Sequence, residues 1–99
     1  MDDLPISKLL DFLLHSDDEA WRDDAAQMLA TAIPEEGALD ALILATQSPL
    51  LDKSLILTCM ESIAEIVLRR QDLSDKIDVL DAESRKFVET LIGGGTVRL

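Results

Sequence analysis

Apolar residues spaced three and four apart recur along the whole chain, and this period constrains the fold more than any other feature. Such spacing places apolar side chains on one face of an α-helix, whereas a half-buried strand needs alternating apolar and polar residues. No window of strict alternation is long enough to form a strand. The sequence therefore predicts an all-α protein with five or six helices.

Polar caps and helix breakers divide this pattern into segments. Asp52 is expected to cap the longest helix, roughly Lys53 to Arg70, because its side chain can accept a bond from an unpaired backbone amide. The expected boundary residues, in chain order, are Pro5, Ser16 with Glu19 as a capping box, Pro34, Asp52, Asp72 or Ser74, Asp81 and Gly93 to Gly95. The buried face of the second helix is predicted to comprise Trp21, Ala25, Met28, Leu29 and Ala32.

The length and composition predict one domain built from recurring helical pairs. Ninety-nine residues are typical of a single domain, and a hydrophobic content of 47% predicts a folded core despite a net charge of -11. Leu9 corresponds to Leu42 and Leu29 to Ile63, which gives offsets of 33 and 34 residues. We expect helical pairs over approximately 5–33, 34–70 and 72–92, followed by a flexible tail over 93–99.

Residues 9–33 resemble a HEAT repeat, especially the short variety found in phycobilisome lyase and related proteins. A leucine-rich first helix and an acidic turn precede a second helix with a family-like series of residues: Trp21, Arg22, Ala25, Ala26, Leu29 and Ile33. The second pair departs from this pattern, since it lacks the arginine and has Cys59 and Met60 in place of the paired alanines. The resemblance implies a right-handed stack of antiparallel helix pairs, an α-α superhelix. It also implies a scaffold or adaptor that presents the second helix of each pair. A compact helical bundle without repeats remains the alternative fold.

Negative charge is concentrated in the first 40 residues. They hold eleven acidic residues against two basic ones, a net charge of -9, whereas residues 41–99 hold nine against seven, a net charge of -2. Nucleic acids and anionic membrane surfaces require Lys and Arg for phosphate contact, so neither is an expected partner. A basic protein surface is the partner that this distribution favours.

The residues that carry common catalytic and metal chemistry are scarce. His15 is the single histidine, and neighbouring Ser16 is too close in sequence for the two side chains to form a catalytic pair. Cys59 lies on the apolar stripe of the fourth helix and is expected to be core. Zinc needs several Cys or His ligands, and the acids after Asp17 lack the spacing of a calcium loop. We therefore expect neither an enzyme, a metal site nor a cofactor.

Five acids near the start of the second helix form the candidate binding site. The helix dipole stabilises acids at a helix N-terminus, which accounts for two or three of them but hardly for all. We therefore predict that they recognise a basic protein partner: Asp17, Asp18, Glu19, Asp23 and Asp24.

Alternative functions are compatible with the same features. Small size and acidity suit an immunity or inhibitor protein that neutralises a basic toxin or nuclease. Surplus leucines on the fourth helix would suit a homodimer through Leu55, Leu57 and Leu68. A minimal enzyme would require a pocket of convergent acids with raised pKa values.

A cytoplasmic location is expected. The chain begins with Met1, Asp2 and Asp3 rather than with the basic residues and apolar run of a secretory signal. A single cysteine cannot form an internal disulfide, which agrees with a reducing compartment.

Overall fold

The helices lie close to where the sequence pattern places them. The structure, a computed structural model, describes residues 5–97 and the side chains of residues 5–93. Within residues 5–97 there are five α-helices, one 3-10 helix and no strand, which confirms the all-α prediction. The elements are α1 (Ile6–His15), α2 (Glu19–Leu29), α3 (Glu35–Thr46), α4 (Lys53–Arg69), a 3-10 segment (Gln71–Val79) and α5 (Ala82–Val97).

The helices pack in two layers. The first helices of the two long pairs, α1 and α3, contact each other, and so do the second helices, α2 and α4. Within each pair, α1 packs on α2 and α3 packs on α4, while α5 extends the second layer by packing on α4. Gly37 allows the close approach of α1 to α3, since a Cβ there would lie 3.3 Å from the Cδ1 atom of Ile6. Both layers thus stack pair upon pair, with α4 in the centre.

The core follows from the wide apolar arc of α4. This helix contacts α2, α3, the 3-10 segment and α5, and it buries eight side chains. They are Leu55, Cys59, Met60, Ser62, Ile63, Ala64, Ile66 and Val67. Ser62 is the one polar side chain among the buried residues that the structure describes, and its hydroxyl donates to the carbonyl of Ala26 at 3.0 Å. A buried hydroxyl that finds such an acceptor avoids the cost of losing its hydrogen bond to water.

Local capping was predicted correctly at two helices and wrongly at a third. Asp52 accepts from the backbone amide of Leu55 at 2.9 Å, and Asp81 accepts from that of Ser84 at 2.7 Å. At α2, however, the cap is Asp18, whose carboxylate accepts from the amides of Ala20 and Trp21, rather than Ser16 with Glu19. The Ser16 hydroxyl instead accepts from the amide of Asp18 and fixes the turn that precedes the helix.

The 3-10 segment replaces the predicted fifth helix. No side chain caps its N-terminus, and Asp72, one of the two predicted caps, pairs with Arg70 instead. With three residues per turn, Asp72, Asp75 and Asp78 fall on one exposed edge. The segment packs on α3 and α4, and residues of the segment and of α5 line an open groove of about 610 Å³ between them. The predicted third pair is therefore less closely packed than the first two.

Helix α5 continues beyond the position predicted for its end. The glycines at 93–95 were expected to end the helix, yet it runs to Val97, and no glycine in the described range has a positive φ. Glycine permits the left-handed conformation of a helix end without requiring it. Thus residues 93–97 of the predicted tail are helical, whereas Arg98 and Leu99 lie outside the described residues.

We predict that Gly93→Ala raises the free energy of unfolding by roughly 0.4–1 kcal/mol, because alanine loses less backbone entropy in a helix. No atom lies within 4 Å of a Cβ built at Gly93. Urea denaturation checks this, with Gly37→Ala as the control that should show no comparable gain. A loss of stability in Gly93→Ala would mean that the helix ends here with a left-handed glycine.

Arg22 joins the two pairs at one end of the stack. Its Nε donates to the carbonyl of Leu13 at 2.9 Å and its Nη2 donates to that of Leu50 at 2.8 Å. The first acceptor lies in the last turn of α1 and the second in the connection between α3 and α4. Carbonyls at helix ends and in loops have no partner within a helix, so a charged donor stabilises them strongly.

We predict that Arg22→Ala lowers the free energy of unfolding by about 2 kcal/mol, the contribution expected when hydrogen bonds to a charged donor are lost. Urea denaturation followed by circular dichroism measures the change. Arg85→Ala, which removes the same charge from α5, is the matched control and should change stability much less. Equal effects of both substitutions would contradict the role given to the Leu13 and Leu50 contacts.

Candidate functional site

Two of the five predicted site residues have their carboxylates bound within the protein. Asp18 caps α2, as described above. Asp23 accepts from the side-chain amide of Gln27 at 2.6 Å and from the hydroxyl of Thr58 on α4 at 2.8 Å. Asp18 therefore helps to fix the start of α2, and Asp23 helps to fix the contact of α2 with α4.

The other three acids of the predicted site extend into solvent. Asp17, Glu19 and Asp24 are exposed. Within the part of the chain that the structure describes, no Lys, Arg or His side chain forms an ion pair with any of the five predicted acids. Among residues 5–93, the negative charge at the start of α2 is thus not neutralised by ion pairs.

A second group of acids from the first 40 residues is neutralised. Glu35 lies 2.8 Å from Arg70 and 3.2 Å from Arg69, and Lys76 bridges Glu36 at 3.2 Å and Asp40 at 3.0 Å. The hydrogen bonds from Arg70 and then Arg69 hold the pKa of Glu35 below its usual value. Among the acids of the first 40 residues that the structure describes, Glu35, Glu36 and Asp40 are therefore paired, whereas Asp11 and the five acids around α2 form no ion pair.

Further acids join the predicted site from α4. Glu19 and Asp23 of α2 line one depression with Asp52, and a neighbouring depression between the same helices is lined by Glu61 and Glu65. Sequence reasoning overlooked these α4 residues, although their helical spacing from the buried Cys59 and Ile63 indicates the exposed side. Glu65 has one basic neighbour, Arg69, at 3.9 Å, and such exposed pairs contribute little to stability.

We define the acidic face as the surface of α2 and α4 that carries six acids. They are Glu19, Asp23, Asp24, Asp52, Glu61 and Glu65. The first three belong to α2, Asp52 caps α4, and the last two lie within α4. Because α2 packs directly on α4, residues about 40 positions apart in sequence contribute to one negative potential.

Apolar side chains are exposed at two places near this face, which corrects one prediction. Trp21 and Met28, expected in the core, are each 38% exposed. Trp21 stacks on Phe12 of α1, with ring centroids 5.4 Å apart. This contact leaves part of the Trp21 side chain exposed to solvent. Leu57 and Leu68 on α4 are 38% and 37% exposed.

Leu55, in contrast, is wrongly placed in the predicted dimer contact. It is buried at 4% exposure and therefore cannot reach a second copy of the folded chain. Its register differs from that of Leu57 by two residues, which in a helix points the two side chains in very different directions. Of the three predicted contact residues, only Leu57 and Leu68 are on the surface.

His15 and Cys59, the residues considered for catalysis, have different surroundings. His15 is exposed at the end of α1, and Cys59 is buried in the core. Burial, and secondarily the charge of Asp23, raises the pKa of the Cys59 thiol to about 12, so the reactive thiolate is scarce at neutral pH. Within the described residues, no three His, Cys, Asp or Glu side chains are arranged to hold a metal ion.

Comparisons with known proteins add no assignment. No family model matches the chain, and neither a curated protein nor a solved structure matches it. No helix among residues 5–97 is long and apolar enough to cross a lipid bilayer.

The pairing of Glu35 predicts a specific dependence of stability on pH. Its pKa is lowered in the folded protein from a reference value of 4.5. The stabilisation from the Arg70 and Arg69 contacts is therefore complete above pH 4.5 and is lost as the pH falls through the lower, folded-state pKa. We expect urea midpoints of the wild type and Glu35→Gln to converge under acid conditions.

The partner residue provides the control for this measurement. In an Arg70→Gln background, the same Glu35 substitution should produce a smaller pH-dependent difference, because the largest cause of the pKa shift is gone. A difference between wild type and Glu35→Gln that stays constant with pH would contradict the ion-pair account.

Proposed function

We propose that this protein is a non-enzymatic interaction module that binds a basic protein partner through the acidic face together with Asp17 and Asp18, which precede it at the start of α2. The observation that supports it most directly is the absence of ion pairs to the five acids at the start of α2, within the described residues, while Glu35, Glu36 and Asp40 from the same acidic part of the sequence are paired. Charges held close together without counterions raise the encounter rate with a partner of opposite charge.

The rigid support of the face favours binding over a purely solubilising role. Asp23 is fixed by Gln27 and Thr58, and Ser62 ties α4 to the Ala26 carbonyl of α2. Acids on such a scaffold lose little conformational entropy when a partner binds. A cytoplasmic location belongs to the same proposal and is supported by the unpaired, buried thiol of Cys59.

We also infer a HEAT-like stack, which two features support. Second helices contact second helices in one layer, as the repeat architecture requires. Ala25 and Ala26 are both fully buried, and so is Cys59 at the corresponding position of the second pair. On this interpretation the acidic face lies on the second helices, which such repeats present to partners.

The first test replaces Asp17, Asp18, Asp23 and Asp24 by asparagine. Asparagine still caps α2 and still accepts from Thr58, so helicity should be retained. We expect the variant to recover much less of the partner than the wild type does, when each is used to capture proteins from an extract of the cells that produce it. We also expect wild-type capture to weaken as salt rises from roughly 0.05 to 0.3 M. Quantitative affinity capture with mass spectrometry measures both effects.

The matched control removes the same number of charges from the other end of the chain. It carries Asp75→Asn, Asp78→Asn, Glu83→Gln and Glu89→Gln, all at exposed positions. A protein that the control retains and the first variant loses supports the proposal. Equal retention by wild type and both variants would place the binding surface elsewhere.

A homodimer is the second candidate, because Leu57 and Leu68 are exposed on α4. Analytical ultracentrifugation at rising concentration separates the two functions. A stable dimer that Leu57→Ala with Leu68→Ala dissociates favours assembly, whereas a monomer favours a different protein as partner. An inhibitor of a basic nuclease or toxin would be a special case of the first proposal, in which the acidic face covers the basic cleft.

A further inference from the structure

The exposed stripe of α4 combines apolar ends with an acidic centre. Leu57, Glu61 and Leu68 recur at spacings of four and seven, which places them on one face of the helix, and Glu65 lies beside them. All four side chains are exposed. At a rise of about 1.5 Å per residue, the two leucines lie about 16 Å apart along the axis.

The surroundings of Leu57 and Leu68 indicate where an apolar side chain of a partner could pack. Leu57 lines an open groove of about 550 Å³ between α4 and α5, whose lining is apolar at Ile56, Met60 and Phe87 and charged at Lys53, Asp81 and Glu83. This volume can receive a large apolar side chain. Leu68 lies near the other end of α4, so the stripe offers two separate apolar contacts, with carboxylates between them.

The carboxylates of the stripe favour a different, basic partner over a second copy of the chain. A two-fold axis through the middle of the stripe would bring Glu61 and Glu65 close to the same two residues of the second copy. Arg69 lies 3.9 Å from Glu65, so the repulsion falls mainly on the two Glu61 side chains, and like charges facing each other oppose association. Lysine or arginine of a different partner would instead pair with Glu61 and Glu65. Such bases would also be attracted by the acids of α2, which are Glu19, Asp23 and Asp24.

We propose that the acidic face binds a basic amphipathic helix lying along α4. Apolar side chains of that helix contact Leu57 and Leu68, and its Lys or Arg side chains lie over Glu61 and Glu65. Only a helix or a similarly rigid segment keeps two apolar groups and the intervening bases on one side at this spacing. The inference rests on the function proposed above and specifies its partner.

A pair of synthetic peptides tests the proposal. The matched peptide is a helical 15-mer with leucine at positions 2 and 13 and lysine at positions 6 and 9, so that all four side chains lie on one helix face. Its remaining residues are uncharged. The scrambled peptide has the same composition with its leucines on opposite faces. Fluorescence anisotropy measures the binding of each to the full chain at low salt.

We expect the matched peptide to bind at least about tenfold more tightly than the scrambled one, since buried apolar anchors dominate such interfaces. Leu57→Ala with Leu68→Ala should remove that preference. Glu61→Gln with Glu65→Gln should weaken binding of the matched peptide and reduce its salt dependence. Val79→Ala, at another exposed apolar position, and Asp75→Asn with Asp78→Asn are the matched controls and should leave binding unchanged.

Each contrary outcome has a defined meaning. Equal affinity for both peptides would overturn the helix inference while leaving a basic partner possible, because charge alone would then account for binding. Binding of neither peptide would also overturn it, and the asparagine variant described above would still decide the proposed function independently. Self-association of wild type that strengthens in Glu61→Gln with Glu65→Gln would identify a second copy as the occupant and overturn the proposal.

Circular dichroism of every variant shows whether the fold is retained. The glutamine pair lies at exposed positions, so it keeps the test valid if the leucine pair fails to fold.

Discussion

Hydrogen bonds from arginine side chains to backbone carbonyls connect the helix pairs of this protein. Arg22, near the start of α2, reaches the end of α1 and the connection before α4. Arg69, at the end of α4, donates to the carbonyl of Ala30 just after α2 at 2.6 Å, and also pairs with Glu35 at the start of α3. The Asp23–Thr58, Ala26–Ser62 and Ala30–Arg69 contacts show that α2 and α4 run in the same direction, so the two arginines lie at opposite ends of this helix contact. Without them, the α2–α4 contact would depend on apolar packing and on the few polar contacts from Thr58 and Ser62.

This use of arginine also shapes the surface. Arg69, Arg70 and Lys76 are occupied by Glu35, Glu36, Asp40 and Asp72, so they are not available to the acids of α2. Arg22 donates to the Leu13 and Leu50 carbonyls, so within the described residues the five acids at the start of α2 form no ion pair. The same contacts that hold the pairs together thus leave a negative potential on the second layer, and α4 contributes acids to it from the middle of the sequence.

Local interactions were predictable from the sequence, whereas neighbours in space were not. Asp52 and Asp81 cap their helices because a cap depends only on the three following residues. The period also located the buried Leu9, Leu29 and Ile63. The period could not show that Trp21 and Met28 are partly exposed. It indicates which face of α2 packs on the protein, but not how much of that face the neighbouring helices cover. Likewise, Glu61 and Glu65 join Asp23 only through the packing of α4 against α2, and no local pattern records that contact.

The position of Cys59 gives this protein a built-in reporter of its own opening. The thiol is fully enclosed at the centre of α4, among the residues on which both layers depend. A modifying reagent can therefore reach it only when the surrounding core separates, and the rate of that reaction measures how often it does. Since Cys59 is the only cysteine in the chain, the signal comes from a single known site and needs no engineered label.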